Sequence, residues 1–235
     1  MDTFVIAKRE IAAFFVSPIA YVVGAALLFI TGLFFVFTVV ITGVATLAGV
    51  FEVTSIILLF VAPILTMRLL SEEARSGTLE LLLTAPVRDW EVVLGKFLAT
   101  LLFFVAMLVP TLYYLFLLTR YGNPDIPVTF SSYLGIILLG AMLISFGMLT
   151  SAMSANQIVA AVLGIALSLT FWLASGLANT FQGPLGKLFE YLSVQEHFFA
   201  FILGLITSTN IIYFLSITAI SLFLATRVLE VRRWH

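Results

Sequence analysis

From Ile11 to Phe51 the chain runs 41 residues without one Asp, Glu, Lys or Arg. A helix crosses ~30 Å of hydrocarbon with about 20 apolar residues, so such a run has no comfortable place in water. The remainder agrees, with 62% hydrophobic and only 10% charged residues overall, against roughly 25% charged in a soluble domain. Too few polar side chains remain to cover a water-facing surface, and lipid must serve as the solvent. The run also outlasts a secretory h-region of ~7–15 residues, and no A-x-A cleavage pattern follows it. The first span is therefore expected to be retained.

Charge-free or nearly charge-free stretches supply six spans: Ile19–Ile41, Phe51–Met67, Phe97–Leu118, Ser132–Met153, Ile158–Ala178 and Asn210–Thr226. The expected fold is an all-α membrane protein of six transmembrane helices, forming one domain over residues 1–235. Gly43, Thr46 and Gly49 favour a loop near 43–50. Pro63 and Pro110 each remove a backbone bond and should kink spans two and three. Gly140, Gly147, Ser151 and the pair Gly164 and Ser168 suit close helix contacts. Glu52 and Arg68 fall at span ends, where snorkelling suffices.

Chemistry is scarce. The absence of Cys excludes disulfides, thiolate metal sites and thiol nucleophiles. Two His, at 197 and 235, are too few for a histidine metal cluster. Away from the span ends, no Asp, Glu, Lys or His stands within a span to serve a proton-coupled pump. A six-span serine protease would need a G-x-S-G turn and a membrane His; the nearest match, Leu173-Ala174-Ser175-Gly176, lacks the first Gly.

Orientation follows from the cations. With both termini in the cytoplasm, the inner side holds Lys8, Arg9, Arg68, Arg75, Arg88, Lys96, Arg227, Arg232 and Arg233, and the outer side only Arg120 and Lys187. Cytoplasmic loops carry the excess of Lys and Arg, so both ends are expected inside. Two long connections matter, the inner one at residues 69–95 and the outer one at 179–209. The segment 119–131 is a turn-rich connector.

Residues 1–17 read as a helix lying in the inner interface, with Phe4, Ile11, Phe14 and Phe15 at roughly helical spacing and Lys8, Arg9 and Glu10 between them. Ser17-Pro18 should end it. In the inner loop, Glu72, Glu73 and Arg75 hold the chain at the water interface, and Ser76-Gly77 breaks the helix. Thr78 then caps a short helix, with Glu80 near its positive end and Leu79, Leu81, Leu82 and Leu83 along it. Thr84-Ala85-Pro86 stops this rod. Asp89 should cap the third span, with Trp90 at headgroup level and Lys96 snorkelling from the first turns. An exposed apolar helix face needs a partner to bury it; here that is either the chain's own spans or a docked soluble protein.

The stretch 73–87, E-A-R-S-G-T-L-E-L-L-L-T-A-P-V, followed by L-G-K-F at 94–97, resembles the loop between spans two and three of ABC-2-type transporter permeases. Residues 8–21 and the C-terminal stretches around His197, Tyr213 and Arg227–Trp234 resemble the gliding-motility-associated group within them, and the related permease of copper-site maturation in nitrous oxide reductase. The resemblance implies pairing, as homodimer or heterodimer, above two ATP-binding subunits encoded as separate chains. Mg-ATP would be bound by that partner. This chain has no G-x-x-x-x-G-K-[ST] phosphate loop, so it would carry no cofactor and no catalytic residue. Thr78–Leu83 would be the coupling helix in a groove of the ATPase, and the N-terminal helix a second contact.

The outer loop is too apolar for an ordinary exposed loop. Leu185, Leu188, Phe189, Leu192, Phe198, Phe199, Phe201, Ile202 and Leu205 alternate with Lys187, Glu190, Glu196 and His197, with breaks at Gly183-Pro184 and Ser193. In the resembled fold it dips back as re-entrant helices; by itself it reads equally as a surface hairpin. Glu190, Glu196 and His197 are expected to face water. The leading expectation is a permease subunit exporting a hydrophobic or amphipathic cargo or a polymer. Its rivals are a mechanotransmitting subunit driving an extracytoplasmic partner, and a stand-alone channel or carrier. No nucleic-acid partner is expected.

Overall fold

The computed structural model describes residues 3–77, 88–180 and 183–233. Of those residues 89% are helical and none is in a strand. In chain order the helices are α1 (Thr3–Val16), α2 (Pro18–Thr42), α3 (Ala48–Thr66), α4 (Arg68–Ser76), α5 (Asp89–Leu108), α6 (Leu112–Tyr121), α7 (Ile126–Met153), α8 (Gln157–Trp172), α9 (Ala174–Thr180), α10 (Pro184–Leu192), α11 (Val194–Ile202) and α12 (Ser208–Arg233).

Most breaks have local causes. Ser17 is extended at φ −79°, ψ 121°, and Pro18 opens α2, where a missing N–H costs nothing. Gly43 ends α2 in the left-handed region at φ 66°, so the long charge-free run is one helix and a short loop. Pro110 turns the helical path into a 3₁₀ turn, Val109–Thr111, between α5 and α6. Asp125 and Asn156 cap α7 and α8 by accepting from Val128 N and Ile158 N.

Helix α7 is the hub, packed against α3, α5, α8, α11 and α12. Its small residues let neighbours close in. A Cβ at Gly140 would overlap the Phe104 ring of α5, and one at Gly147 would overlap Thr66 Oγ1 of α3. Gly164 of α8 is close as well, since its Cβ would meet Pro63 Cβ at 2.9 Å. The small residues expected to serve packing do so. The periphery is the reverse: α2 exposes Phe29, Phe37 and Val40, the last at 74%. A contiguous apolar surface of this kind needs lipid or protein over it.

Among the described residues, five helical segments are long and apolar enough to cross a membrane: Pro18–Thr42, Ala48–Ser76, Asp89–Tyr121, Ile126–Met153 and Ser208–Arg232. The chain is a multi-pass membrane protein. The expected fifth span, Ile158–Ala178, is divided at Leu173 into α8 and α9. The 16 residues of α8 reach only about 24 Å. The third span starts earlier than expected, because the helix runs unbroken from Asp89 through Lys96.

Candidate coupling site

Helix α4, which leads into residues 78–87, meets α1 and α5 at one junction. Along that contact α1 and α5 run side by side in the same direction. Ile6 and Thr3 O lie where a Cβ on Gly95 would meet both at 3.0 Å, and two turns further Phe14 stacks on Phe103 with ring centroids 4.9 Å apart. The G-K pair of the L-G-K-F stretch thus has two jobs. Gly95 admits α1, and Lys96 ties it down.

Lys96 corrects the expectation of a snorkelling side chain. It is 2% exposed, and its Nζ donates to Glu10 Oε1 of α1 at 2.9 Å and to Glu73 Oε1 of α4 at 2.8 Å. A buried ammonium requires paired, hydrogen-bonded charges around it, and these two carboxylates supply them. Arg9 adds a looser contact, 3.9 Å from Glu10 and 3.8 Å from Glu73. Arg68, expected only to reach for the interface, holds α1 too: it donates to Ser17 Oγ at 2.9 Å and lies over the Phe14 ring at 5.4 Å.

The helical ladder is interrupted at two places, inside α3 and between α3 and α4. Pro63 removes one ladder donor, and four residues on the Ser151 hydroxyl of α7 enters the ladder. Ser151 Oγ accepts from Leu70 N and Ser71 N, both at 3.1 Å, and donates to Met67 O at 2.9 Å. An inserted side chain is a recognised cause of helix bending. In lipid those amide groups have no water to fall back on, so Ser151 makes the break tolerable. Its result is an interruption of the ladder at Met67, whose backbone stays in the right-handed helical region.

Of the expected site residues, Glu73 and Glu10 sit in the ion cluster, while Glu72, Arg75, Ser76, Gly77, Lys8 and Arg9 are exposed. Gly77 ends α4 in the left-handed region at φ 72°. Thr78, Leu79, Glu80, Leu81, Leu82, Leu83 and Pro86, and with them the expected coupling rod, lie outside the described residues. Phe14 is buried, but Phe4 and Phe15 are 78% and 50% exposed, and Ile6 and Ala7 take the inner positions. Asp89 lies inside the first turn of α5; the cap is made by Glu91, whose carboxylate accepts from Arg88 N at 3.0 Å.

Among the described residues, no group of three or more His, Asp or Glu could hold a metal ion. On the far side of the bundle, Gly183 (φ 88°) precedes α10 and Ser193 caps α11. Glu190 and Glu196 are exposed. His197 departs from expectation: its Nε2 donates to Tyr191 O at 3.1 Å and its Nδ1 lies 3.0 Å from the Asn210 amide. It fastens this hairpin to α12. Helix α11 buries Phe198 and Phe201 in the bundle, with Phe201 against Gly135.

The family model for "ABC-2 family transporter protein" matches residues 42–229. The chain belongs to the ABC-2 transporter family. No curated protein matches it. It is a membrane permease component of an ABC transporter, and membership implies an ATP-binding subunit as partner. The match covers the interruption at Met67, α4 and Lys96, whereas α1 and Glu10 precede it. The ion cluster therefore bolts a segment outside the family match onto the family core.

Proposed function

We propose that this ABC-2 permease converts ATP turnover in a separate ATP-binding subunit into export across the bacterial cytoplasmic membrane. Both termini face the cytoplasm, and α8 with α9 serves as the fifth of six spans. A second permease chain, identical or not, completes the path. The terminal stretches favour the gliding-motility type. Thr78–Leu83 docks in the ATPase as the coupling helix, in the company of Glu72, Glu73, Arg75, Ser76, Gly77 and Pro86. Mg-ATP is held by the partner alone.

The observation that carries this reading is the ladder interrupted at Met67. A push on residues 78–87 reaches α4 through Gly77, turns about Met67, and passes to α1 and α5 through the Lys96 ion pairs. A rigid continuous helix would not need the Ser151 insertion, and a passive anchor would not need a buried lysine shared among three helices.

The test is co-purification from native membrane in mild detergent, followed by ATPase assay. The wild-type chain brings down an ATP-binding subunit and stimulates its turnover. Leu81→Asp with Leu82→Asp leaves insertion intact but detaches or uncouples it. Equal capture and equal stimulation by that variant would refute the docking assignment.

A second reading is favoured by the outer hairpin, where Leu185, Leu188, Tyr191 and Leu203 are 52–69% exposed. There the stroke drives an extracytoplasmic partner without passing cargo. ATP turnover in liposomes with no substrate-dependent flux separates it from export.

A further inference from the structure

Two cavities adjoin at α1. One is an apolar groove of about 320 Å³ lined by Phe14, Ala20, Gly24, Ala25, Phe103 and Met107. The other is a polar cleft of about 350 Å³ that includes Arg9, Glu10, Arg68, Glu72, Glu73 and Lys96. The short segment Ala13-Phe14 is their common wall, because Ala13 lines the cleft and Phe14 the groove. Arg68 stands at the seam, in the cleft and over the Phe14 ring. Each volume falls in the range of small-molecule sites, ~300–1,000 Å³.

The cleft holds three cations and three carboxylates, so it does not select an anion as a whole. Its pairing is uneven. Lys96 takes Glu10 and Glu73. Arg68 and Glu72 have no ion-pair partner among the described residues, although they stand four apart on α4. Residues so spaced lie ~5–6 Å apart at Cβ. Arg68 uses one donor on Ser17 Oγ of the five a guanidinium carries. A cation and a carboxylate without ion-pair partners, one helical turn apart and next to an apolar groove, complement a zwitterion with a hydrocarbon tail.

We propose that the two cavities together bind one inner-leaflet glycerophospholipid with an amine-bearing zwitterionic headgroup. Its phosphate accepts from Arg68, as a guanidinium suits. Its ammonium, two carbons away, donates to Glu72, and one acyl chain fills the groove between α2 and α5. The lipid would thereby join α2 to the α1–α4–α5 junction. The inference rests on the membrane embedding, and its leaflet on the topology proposed above; it needs no ATPase.

The test uses the full chain, purified in mild detergent after equilibration with vesicles of equal phosphatidylethanolamine and phosphatidylglycerol, with retained lipid counted by mass spectrometry. The wild-type chain keeps about one lipid per chain and enriches phosphatidylethanolamine roughly tenfold, the scale of a charge-assisted hydrogen bond. Glu72→Gln, at an exposed position that leaves the fold alone, retains lipid but loses the enrichment. Gly24→Leu fills the groove and loses both lipids while Arg68 and Glu72 are untouched. An unchanged lipid ratio in Glu72→Gln, or unchanged retention in Gly24→Leu, would overturn the proposal. Because the readout is lipid, either failure leaves the coupling reading standing.

Discussion

Replacing Lys96 with Met isolates the ion cluster at the heart of the junction. The Lys96, Glu10 and Glu73 side chains are 3%, 13% and 16% exposed, and the ion-pair distances are 2.8 and 2.9 Å. Glu73 depends on the lysine most, because its Oε2 is buried with no hydrogen-bond donor among the described residues. Arg9 cannot take over at 3.8–3.9 Å and 66% exposure, where such a contact contributes little. Removing one partner of a buried pair costs about 3–5 kcal/mol, and the adjoining cleft lets water relieve part of that, so about 3 kcal/mol is expected. For a chain of this size that lowers the thermal midpoint by roughly 6–12 °C. The assay is a melting curve of the full chain in one detergent, beside the triple variant Glu10→Gln, Glu73→Gln, Lys96→Met. With all three charges gone, burial costs little, and the triple variant should recover most of the loss. A single variant melting within about 2 °C of wild type, or a triple variant below the single one, would refute the assignment of Lys96 as a buried tie.

Gly147→Ala places a methyl against Thr66 Oγ1 and should cost about 1–3 kcal/mol as overpacking; adding Thr66→Ala should restore part of it in the same melt. Ser151→Ala leaves Leu70 N and Ser71 N without their acceptor, a loss of about 1–3 kcal/mol. Amide exchange in α4 should rise in that variant while exchange in α7 stays near wild type; uniform exchange in both helices would speak against a local interruption at Met67.

Breaks set by local chemistry were legible in the chain. Ser17-Pro18, Gly43, Gly77, Gly183 and Ser193 each end or begin a helix through proline geometry, a left-handed glycine or a side-chain cap, and none needs a distant neighbour. Roles set by tertiary contact were not. Lys96 finds Glu10 86 residues away, and Ser151 enters a ladder 80 and 81 residues upstream. Hydropathy treats both as ordinary members of a span. A usable signal did exist, since an apolar helix containing one Lys calls for carboxylates, and Glu10 and Glu73 flank the two neighbouring spans. On α1 the spacing alone does not say which residues meet α5. The segment is apolar on two faces, and only the approach permitted by Gly95 decides which one α5 covers. The break between α8 and α9 follows no proline; the backbone changes path at Leu173, where Gly176 N bonds to Leu173 O at 3.1 Å.

The account turns on where the loop stem points and what covers it. The chain contains no cysteine, so Arg75→Cys, at an exposed position of α4, supplies a single thiol. Labelling it with a membrane-impermeant maleimide should succeed from the cytoplasmic side only, and should slow severalfold when the ATP-binding subunit is present. Modification from the opposite side, or an equal rate with and without that subunit, would contradict it.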